Sequence, residues 1–221
     1  MSAEKMKLYG YFRSSTSFRA RIALNLKGLA YDQAALHLRK GEQRGADYLA
    51  LNPQGLVPAL EVEGPEGAAL ITQSLAIVEY LDEVHPQPPL LPADPPGRAR
   101  VRAIAYAIAC DIHPLNNLRV LTYLTKTLDQ PPEAQGDWFR HWVAVEFAAL
   151  EQRLAAEPAT GRYCHGDAVT LADVCLVPQV INGRRFDCDM APYPTIRRIF
   201  EACMEIPAFV EAAPQNQPDA E

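Results

Sequence analysis

Hydrophobic residues change their spacing near the beginning of the chain, from a short continuous run to a period of four. The run is β-prone and contains Leu8, Tyr9, Tyr11 and Phe12. After a polar stretch, apolar side chains return at Phe18, Ile22 and Leu26, and Gly28 follows them. A period near four with a glycine behind it is typical of a helix and its end. Residues 7–28 are therefore predicted to form a strand, a turn and a helix.

Shorter patterns predict the elements that follow this helix. Strands are predicted at 31–38, 57–63 and 68–72, a helix of one or two turns at 47–51, and a longer helix from Ser74 to near His85. The turn-forming residues 64–67 between the last two strands favour a hairpin. This order, a βαβ unit followed by a short helix, two strands and a helix, is typical of a thioredoxin-like α/β domain.

A proline-rich segment separates this α/β region from a helical one. Residues 86–96 hold six prolines in eleven positions, which is the composition of a linker. Beyond it the apolar residues have helical spacing, as at Val101, Ile104 and Ile108, and strand-like patterns of comparable strength are absent. We predict a thioredoxin-like α/β domain at 1–86, a linker at 87–96 and an all-α domain at 97–221.

Three local features of the helical region bear on its structure. Thr170 and Asp173 have the spacing of a capping box, in which each side chain bonds the other's backbone at a helix start. Cys110 and Cys175 lie in apolar helical sequence, so buried thiols are expected there. The polar residues 214–221 are predicted to be frayed.

Composition and charge restrict the class of function. The chain has 221 residues, of which 48% are hydrophobic, enough to bury a core. A net charge of −6 and a pI near 5.4 argue against nucleic acid or an anionic membrane as the partner. No apolar run approaches the ~20 residues that span a bilayer, and the first residues lack a signal-peptide pattern, so a cytoplasmic location is expected. The five cysteines are scattered without a CxxC pair, so no disulfide framework or metal site is predicted.

The polar stretch before the first helix is the best candidate for chemistry. Arg13–Ser17 places four hydroxyl groups where a helix offers unpaired backbone N–H groups and the positive end of its dipole. Anions bind at such positions, although Ser and Thr there serve more often only as helix caps. These residues alone leave both interpretations open.

Four segments taken together carry a resemblance to a known family. They are Ser14–Leu24 (SSTSFRARIAL), Asn52–Leu60 (NPQGLVPAL), Thr72–Ile77 (TQSLAI) and Asp111–Leu121 (DIHPLNNLRVL). With these segments in this order, nearly the whole chain resembles the zeta-class glutathione transferases. The resemblance implies glutathione as cofactor, a homodimer, and a cis peptide bond before Pro58.

The resemblance also implies which residues form the glutathione site. Ser14, Ser15 and Thr16 would be the catalytic residues, with Ser14 and Thr16 the candidates for the hydroxyl that stabilises the thiolate. Val57 would turn its backbone outward to pair with the cysteinyl part of glutathione, as an added strand does. The glutathione-binding residues would be Ser17, Phe18, Arg19, Gln43, Val57, Pro58, Gln73, Ser74, His113, Asn117, Leu118 and Arg119.

Two residues depart from the zeta-class pattern. Thr16 stands where that class usually has cysteine, and Phe18 where it usually has tryptophan. A threonine hydroxyl donates a hydrogen bond but forms no mixed disulfide, so the thiolate role survives and cysteine-dependent chemistry does not. Tyr9 and Tyr11 lie in the predicted strand and are interpreted as structural.

Arginines in this acidic chain favour a small dicarboxylate as substrate. Arg13, Arg119 and Arg185 are the candidates for gripping carboxylates bidentately, whereas Arg184 is interpreted as a solvated surface residue. The resemblance implies a cis–trans isomerisation of such a compound by reversible addition of glutathione thiolate.

Two substrates fit this chemistry. Maleylacetoacetate, from tyrosine and phenylalanine catabolism, is the first candidate, and maleylpyruvate, from gentisate degradation, is the second. Thr16 favours maleylpyruvate, whereas Leu118, where another arginine would help to grip a small diacid, favours maleylacetoacetate. General glutathione conjugation, dehalogenation of haloacids, and a non-catalytic glutathione-binding protein are the other hypotheses.

Overall fold

In the computed structural model, which describes residues 5–64 and 67–221, the chain divides into two units. The first contains residues up to Pro89 together with Ile206–Glu221, and the second contains Leu90–Glu205. Among the described residues, no helix has both the length and the apolar character needed to cross a bilayer.

The first unit is built on a four-stranded mixed sheet in the order β2-β1-β3-β4. β2 is parallel to β1, whereas β3 is antiparallel to both β1 and β4. Its strands and helices are β1 (Lys5–Gly10), α1 (Ser15–Leu26), β2 (Asp32–Ala35), α2 (Ala46–Leu51), β3 (Ala59–Gly64), β4 (Gly67–Thr72) and α3 (Ser74–Val84). The predicted thioredoxin-like order is confirmed, but β2 is shorter than expected. It ends at Ala35, and two 3₁₀ turns follow at Leu38–Lys40 and Glu42–Arg44.

The predicted strand and helix are confirmed at β1 and α1, but the strand ends at Gly10, so the prediction that Tyr11 and Phe12 lie in it is wrong. Leu8 is buried between its sheet neighbours, and Phe18 and Ile22 bury the inner face of α1. The helix ends where expected, because Gly28 has a φ of +65°, a conformation that favours glycine, and the Leu29 amide donates to the Leu24 carbonyl. This packing fixes the turn at residues 11–14 between strand and helix.

Residues 90–205, all of which are described, form the second unit, and the regular secondary structure in this range is helical. Its helices are α4 (Pro95–Tyr106), α5 (Leu118–Lys126), α6 (Glu133–Ala156), α7 (Leu171–Arg185) and α8 (Pro194–Cys203). Between α4 and α5 the chain forms a π-helix at Ala107–Ile112. α4 begins inside the predicted linker, since prolines suit a first helical turn and the Asp94 carboxylate caps it by accepting from the Gly97 amide.

The capping box predicted at the start of α7 is confirmed. Asp173 is fully buried and accepts from the amide and hydroxyl of Thr170 and from the Cys164 amide. Burial raises the pKa of this carboxyl, and the hydrogen bonds act against that rise. The following helix is buried along most of its length, so Asp173 anchors a core element.

The segment 206–221 does not continue the helical unit but packs with the first one. Its helix α9 (Pro207–Ala212) lies against α1, where Arg21 Nε donates to the Ala212 carbonyl and Asn25 to the Ala208 carbonyl. The prediction that 214–221 is frayed is wrong. Gln217 is buried, and its amide nitrogen donates to the carbonyls of Glu211 and Ala213, while Asp219 accepts from the Phe12 amide.

Candidate functional site

A chain of hydroxyl groups lies at the start of α1. Ser14 caps the helix by accepting from the Ser17 amide at 3.1 Å, and its Oγ lies 2.9 Å from Thr16 Oγ1. Thr16 Oγ1 donates to the Val57 carbonyl at 3.0 Å. Because a hydroxyl has one hydrogen, Ser14 is then the donor to Thr16. We call this series of hydrogen bonds, from Ser14 through Thr16 to the Val57 carbonyl, the hydroxyl chain.

The Val57 carbonyl already has a hydrogen-bond partner within the protein. It was expected to face outward for an added strand, but in this structure it accepts the Thr16 hydroxyl. A carbonyl oxygen has two lone pairs, so it can accept a second donor beside Thr16. Val57 is half-buried, and the Val57–Pro58 peptide bond is cis, as predicted.

Three neighbours of Ser14 and Thr16 point away from solvent. Ser15 is buried, Ser17 is fully buried beside Gly10, and Phe18 lies in the core. Ser17 Oγ has no hydrogen-bond partner within the described part of the chain. The side chains of Ser17 and Phe18 are therefore out of reach of a ligand. Any glutathione binding by these two residues would be through their backbone.

The loop at residues 52–58 is shaped by buried polar contacts. The buried Asn52 side chain donates to the Leu56 carbonyl, which also accepts from the Tyr48 hydroxyl. Gly55 has a φ of +60°, and a Cβ there would lie 3.0 Å from the Gln43 carbonyl oxygen, so only glycine fits. These contacts bring Gln43 beside the loop that carries Val57.

The start of α3 is strained and firmly supported. Gln73 has a φ of +71°, which is costly for a residue with a side chain and often marks a functional position. Its side-chain amide donates to Gln54 Oε1 at 3.2 Å. Ser74 is buried, and its hydroxyl accepts from the fully buried Arg19 at 3.4 Å. Arg19 thus ties α1 to the first residue of α3.

In the first unit, the structure brings together most of the predicted glutathione-binding residues. Hydrogen bonds join the start of α1 to the loop at 52–58, and α1 to the start of α3. Two helix starts therefore present backbone N–H groups beside hydroxyls and amides, which suits a ligand with carboxylates and a thiolate. No group of three or more His, Cys, Asp or Glu side chains among the described residues is arranged to hold a metal.

The predicted site residues of the helical unit lie around the π-helix and the start of α5. His113 follows the π-helix directly, and its Nε2 lies 3.4 Å from Asn117 Nδ2. Asn117 caps α5 by accepting from the Arg119 amide. Leu118 and Arg119 are exposed in the first turn of that helix. π-Helices are rare and frequent at functional sites.

The candidate arginines differ in their surroundings. Arg13 is half-buried and lies 4.7 Å from the centre of the Phe12 ring. Arg185, a candidate for gripping a substrate carboxylate, is exposed near the end of α7, with its guanidinium 5.3 Å from the Phe186 ring. Arg184 is exposed too and stacks 4.3 Å from the Phe200 ring.

The cysteines differ in their burial. Cys175 is buried as predicted, whereas the prediction that Cys110 is buried is wrong, because Cys110 lies exposed in the π-helix. Burial raises the pKa of Cys188 to about 11 and raises the pKa of Cys164 and Cys203 as well, so these thiols are poor nucleophiles.

Sequence reasoning missed three residues that shape the site. Gln54 pairs with Gln73, and its place in the same loop as Val57 was the available signal. Arg21 is buried and donates to the carbonyls of Tyr11 and Phe12, and Asp219 accepts from the Phe12 amide. The distance of Asp219 along the chain left no local signal for its contact.

Comparison with known families identifies both halves of the chain. The model of the glutathione S-transferase N-terminal domain matches residues 13–84, and that of the C-terminal domain matches residues 119–207. A maleylpyruvate isomerase from Ralstonia sp is 52% identical over 97% of this chain and 100% of its own length. A probable maleylacetoacetate isomerase from Vibrio cholerae is 49% identical over 96% of this chain and 97% of its own.

Solved structures of similar proteins carry the same two kinds of name. A holo structure of maleyl pyruvate isomerase, described as a bacterial zeta-class glutathione transferase, aligns with a TM-score of 0.92 and 51% identity over 97% of this chain and 100% of that chain. A maleylacetoacetate isomerase from Methylobacterium extorquens AM1, solved with bound malonate and glutathione, aligns with a TM-score of 0.92 and 45% identity over 97% of this chain and 99% of that chain.

Proposed function

Because the chain belongs to the glutathione transferase family, and within it to the zeta class, we propose that it is a glutathione-dependent cis–trans isomerase of maleylacetoacetate. The observation that carries this proposal is the hydroxyl chain from Ser14 through Thr16 to the Val57 carbonyl at the start of α1. It combines a hydrogen-bond donor, a helix dipole and an open backbone acceptor in one place.

The residues of the first unit fit glutathione. The Val57 carbonyl has a second lone pair for the cysteinyl N–H, and the start of α3 at Gln73 and Ser74 suits the γ-glutamyl carboxylate. Gln43 Oε1 is buried without a partner in the described part of the chain, so it is available to a donor from the ligand. Pro58 and Arg19 hold this arrangement in shape.

When bound, glutathione supplies a thiolate that adds reversibly to the cis double bond and leaves after rotation about the resulting single bond. Ser14 turns its hydroxyl hydrogen from Thr16 to the sulfur and so favours the ionised thiol. Because Thr16 keeps donating its only hydroxyl hydrogen to the Val57 carbonyl, it has none for Ser14. Ser14 Oγ then accepts only from the Ser17 amide. The positive end of the α1 dipole acts on the same charge.

Arginines are proposed to bind the substrate carboxylates and to stabilise the negative charge that develops on its oxygen during addition. Arg13, Arg119 and Arg185 are the candidates. The malonate bound to the Methylobacterium enzyme is a small dicarboxylate, which supports this class of substrate.

Maleylpyruvate is the second candidate substrate. The 52% identity to the Ralstonia maleylpyruvate isomerase favours it, as does Thr16. General conjugation, haloacid dehalogenation and non-catalytic glutathione binding remain competing hypotheses. The hydroxyls retained at Ser14 and Thr16 argue against loss of catalysis.

Steady-state assays with glutathione and each of the two substrates test the proposal. We expect glutathione-dependent turnover of both, with the higher kcat/KM for maleylacetoacetate. The reverse preference would assign maleylpyruvate. Activity confined to aryl or α-halo acid substrates would assign conjugation or dehalogenation, and calorimetric binding of glutathione without turnover would assign the non-catalytic hypothesis.

Arg185 is the substrate arginine most easily tested, because Arg184 beside it is a matched control. Arg185→Ala is expected to raise KM about tenfold or more, since a carboxylate grip present in substrate and transition state alike is uniform binding. Arg185→Lys keeps the charge but loses the guanidinium fork, so an intermediate defect is expected. Equal, small changes in KM for Arg184→Ala and Arg185→Ala would move the grip to Arg13 or Arg119.

We also propose a cytoplasmic homodimer that acts in aromatic catabolism. The family resemblance supports the dimer. Equilibrium sedimentation at micromolar concentration should give twice the 24.4 kDa mass of the chain. A species at the monomer mass would contradict the dimer.

A further inference from the structure

The turn that precedes Ser14 is held from two sides by ionic side chains. On one side, the buried Arg21 donates to the Tyr11 carbonyl at 3.4 Å and to the Phe12 carbonyl at 3.1 Å. On the other, Asp219 Oδ2 accepts from the Phe12 amide at 3.0 Å. The amide of Phe12 is therefore bound by the carboxylate of Asp219, and its carbonyl by the guanidinium of Arg21.

The backbone that Arg21 and Asp219 bind is hydrogen-bonded to Ser14, the first residue of the hydroxyl chain. The Ser14 amide donates to the Tyr11 carbonyl at 2.9 Å, so the oxygen that Arg21 binds also sets the position of Ser14. Ser14 Oγ in turn is oriented by the Ser17 amide. A shift of the peptide at Phe12 would move the hydroxyl relative to the start of α1.

The charge of Asp219 acts on Arg21. Burial lowers the pKa of Arg21 to about 10, and the negative charge of Asp219 acts in the opposite direction. Arg21, Asp219 and Gly10 line a space of only about 10 Å³, roughly the room of one water, so no second ligand fits there. The contact is a close-packed support and not a further binding site.

We propose that Asp219 is a positioning residue for the thiolate-stabilising hydroxyl of Ser14, acting through the backbone of Phe12 and Tyr11. The inference rests on the proposed function, because it assigns Asp219 a part in ionising the thiol of bound glutathione. Asp219 lies 207 residues from Phe12 in the sequence, in the segment 206–221 that packs with the first unit.

The test compares three full-length variants. Asp219→Ala removes the acceptor, Asp219→Asn keeps an oxygen for the Phe12 amide but loses the charge, and Glu211→Ala removes an exposed carboxylate from the same segment. Each is titrated with pH while the ultraviolet absorbance of the thiolate of bound glutathione is recorded. Glutathione affinity by calorimetry, kcat and KM, and the thermal midpoint are also measured.

Asp219→Ala is expected to lower kcat about tenfold and to raise the pKa of the bound thiol, while KM and glutathione affinity change less than about twofold. Asp219→Asn should recover part of both losses, because it keeps the acceptor for the Phe12 amide, and it keeps the test decisive if the alanine variant fails to fold. A merely structural role would lower the thermal midpoint and leave the pKa of the bound thiol unchanged. Thiol ionisation and kcat in both Asp219 variants equal to those of Glu211→Ala would overturn the proposal.

Ser14→Ala measured in the same series separates two kinds of failure. If Ser14→Ala raises the pKa of the bound thiol and the Asp219 variants do not, only the positioning role fails. If Ser14→Ala also leaves the thiol unchanged, the proposed role of the hydroxyl itself fails, and the role of Asp219 fails with it.

Discussion

The hydroxyl of Ser14 has one hydrogen and two possible acceptors, Thr16 in this structure and a thiolate in the proposed complex. Ser14→Ala is expected to lower kcat about tenfold to a hundredfold, since a hydrogen bond to a charged group contributes roughly 1.5–3 kcal/mol. Glutathione affinity should change little, because the tripeptide is held elsewhere. Steady-state kinetics and calorimetry measure the two effects.

Ser17→Ala is the matched control for this change. Ser17 lies on the same turn of α1, but its hydroxyl is fully buried and has no partner among the described residues, so removing it should leave kcat nearly unchanged. A rate for Ser14→Ala at neutral pH equal to that of the control would move the thiolate role to Thr16 or Ser15.

Thr16 is expected to support Ser14 and not to replace it. Thr16→Val keeps the shape but removes the hydroxyl between Ser14 and Val57, so kcat should fall by only about three- to tenfold, the effect of a neutral hydrogen bond. Thr16→Ser should restore the rate. A fall in kcat for Thr16→Val larger than that for Ser14→Ala would reverse the two roles.

At the scale of elements, α7 depends on a single buried carboxylate at its start. Asp173→Ala would leave the amides of Cys164 and Thr170 without their acceptor inside the core. The free energy of unfolding is expected to fall by about 3 kcal/mol, measured by urea denaturation. Asp167→Ala is the control, because Asp167 is exposed and accepts only from the Arg162 amide among its described contacts, and a loss of about 1 kcal/mol or less is expected there.

The stability that Asp173 contributes should also depend on pH. Its pKa is raised in the folded protein by burial, so the folded state binds the proton more tightly than the unfolded chain does. The contribution is then largest below the ordinary pKa of 3.8 and is lost as pH rises through the folded value. The difference in unfolding free energy between the parent and Asp173→Ala should widen on acidification, and a narrowing would contradict the raised pKa.

Elements that are determined by side-chain spacing and capping within a few residues could be predicted from the sequence. Features that depend on contacts between distant residues, or on hydrogen bonding that the spacing does not reveal, could not. β1, α1 and the start of α7 follow from side-chain spacing and capping, which act within a few residues. The π-helix at Ala107–Ile112 has the same apolar spacing as the helix before it, so its different hydrogen bonding left no signal. The family resemblance predicts Ser14, Thr16 and Val57 as residues of one site, whereas the hydrogen bond from Thr16 to Val57 could be known only from the fold.

At the scale of the whole molecule, the segment 206–221 should share the stability of the first unit. Ile22→Ala in α1 and Ile199→Ala in α8 each remove a fully buried side chain and leave a cavity. Hydrogen exchange should quicken in 206–221 for Ile22→Ala and remain as in the parent for Ile199→Ala. Faster exchange of the segment in the α8 variant alone would assign it to the helical unit.

The return of 206–221 to the first unit has a consequence for synthesis on the ribosome. Arg21 and Phe12 emerge early, but their partners Ala212 and Asp219 follow 191 and 207 residues later. At about 5–20 residues per second, roughly ten seconds or more pass before the first unit can be completed. During that interval the face of α1 that α9 will cover is exposed to other nascent chains and to chaperones. A permuted gene that encodes 206–221 ahead of β1 would remove this delay.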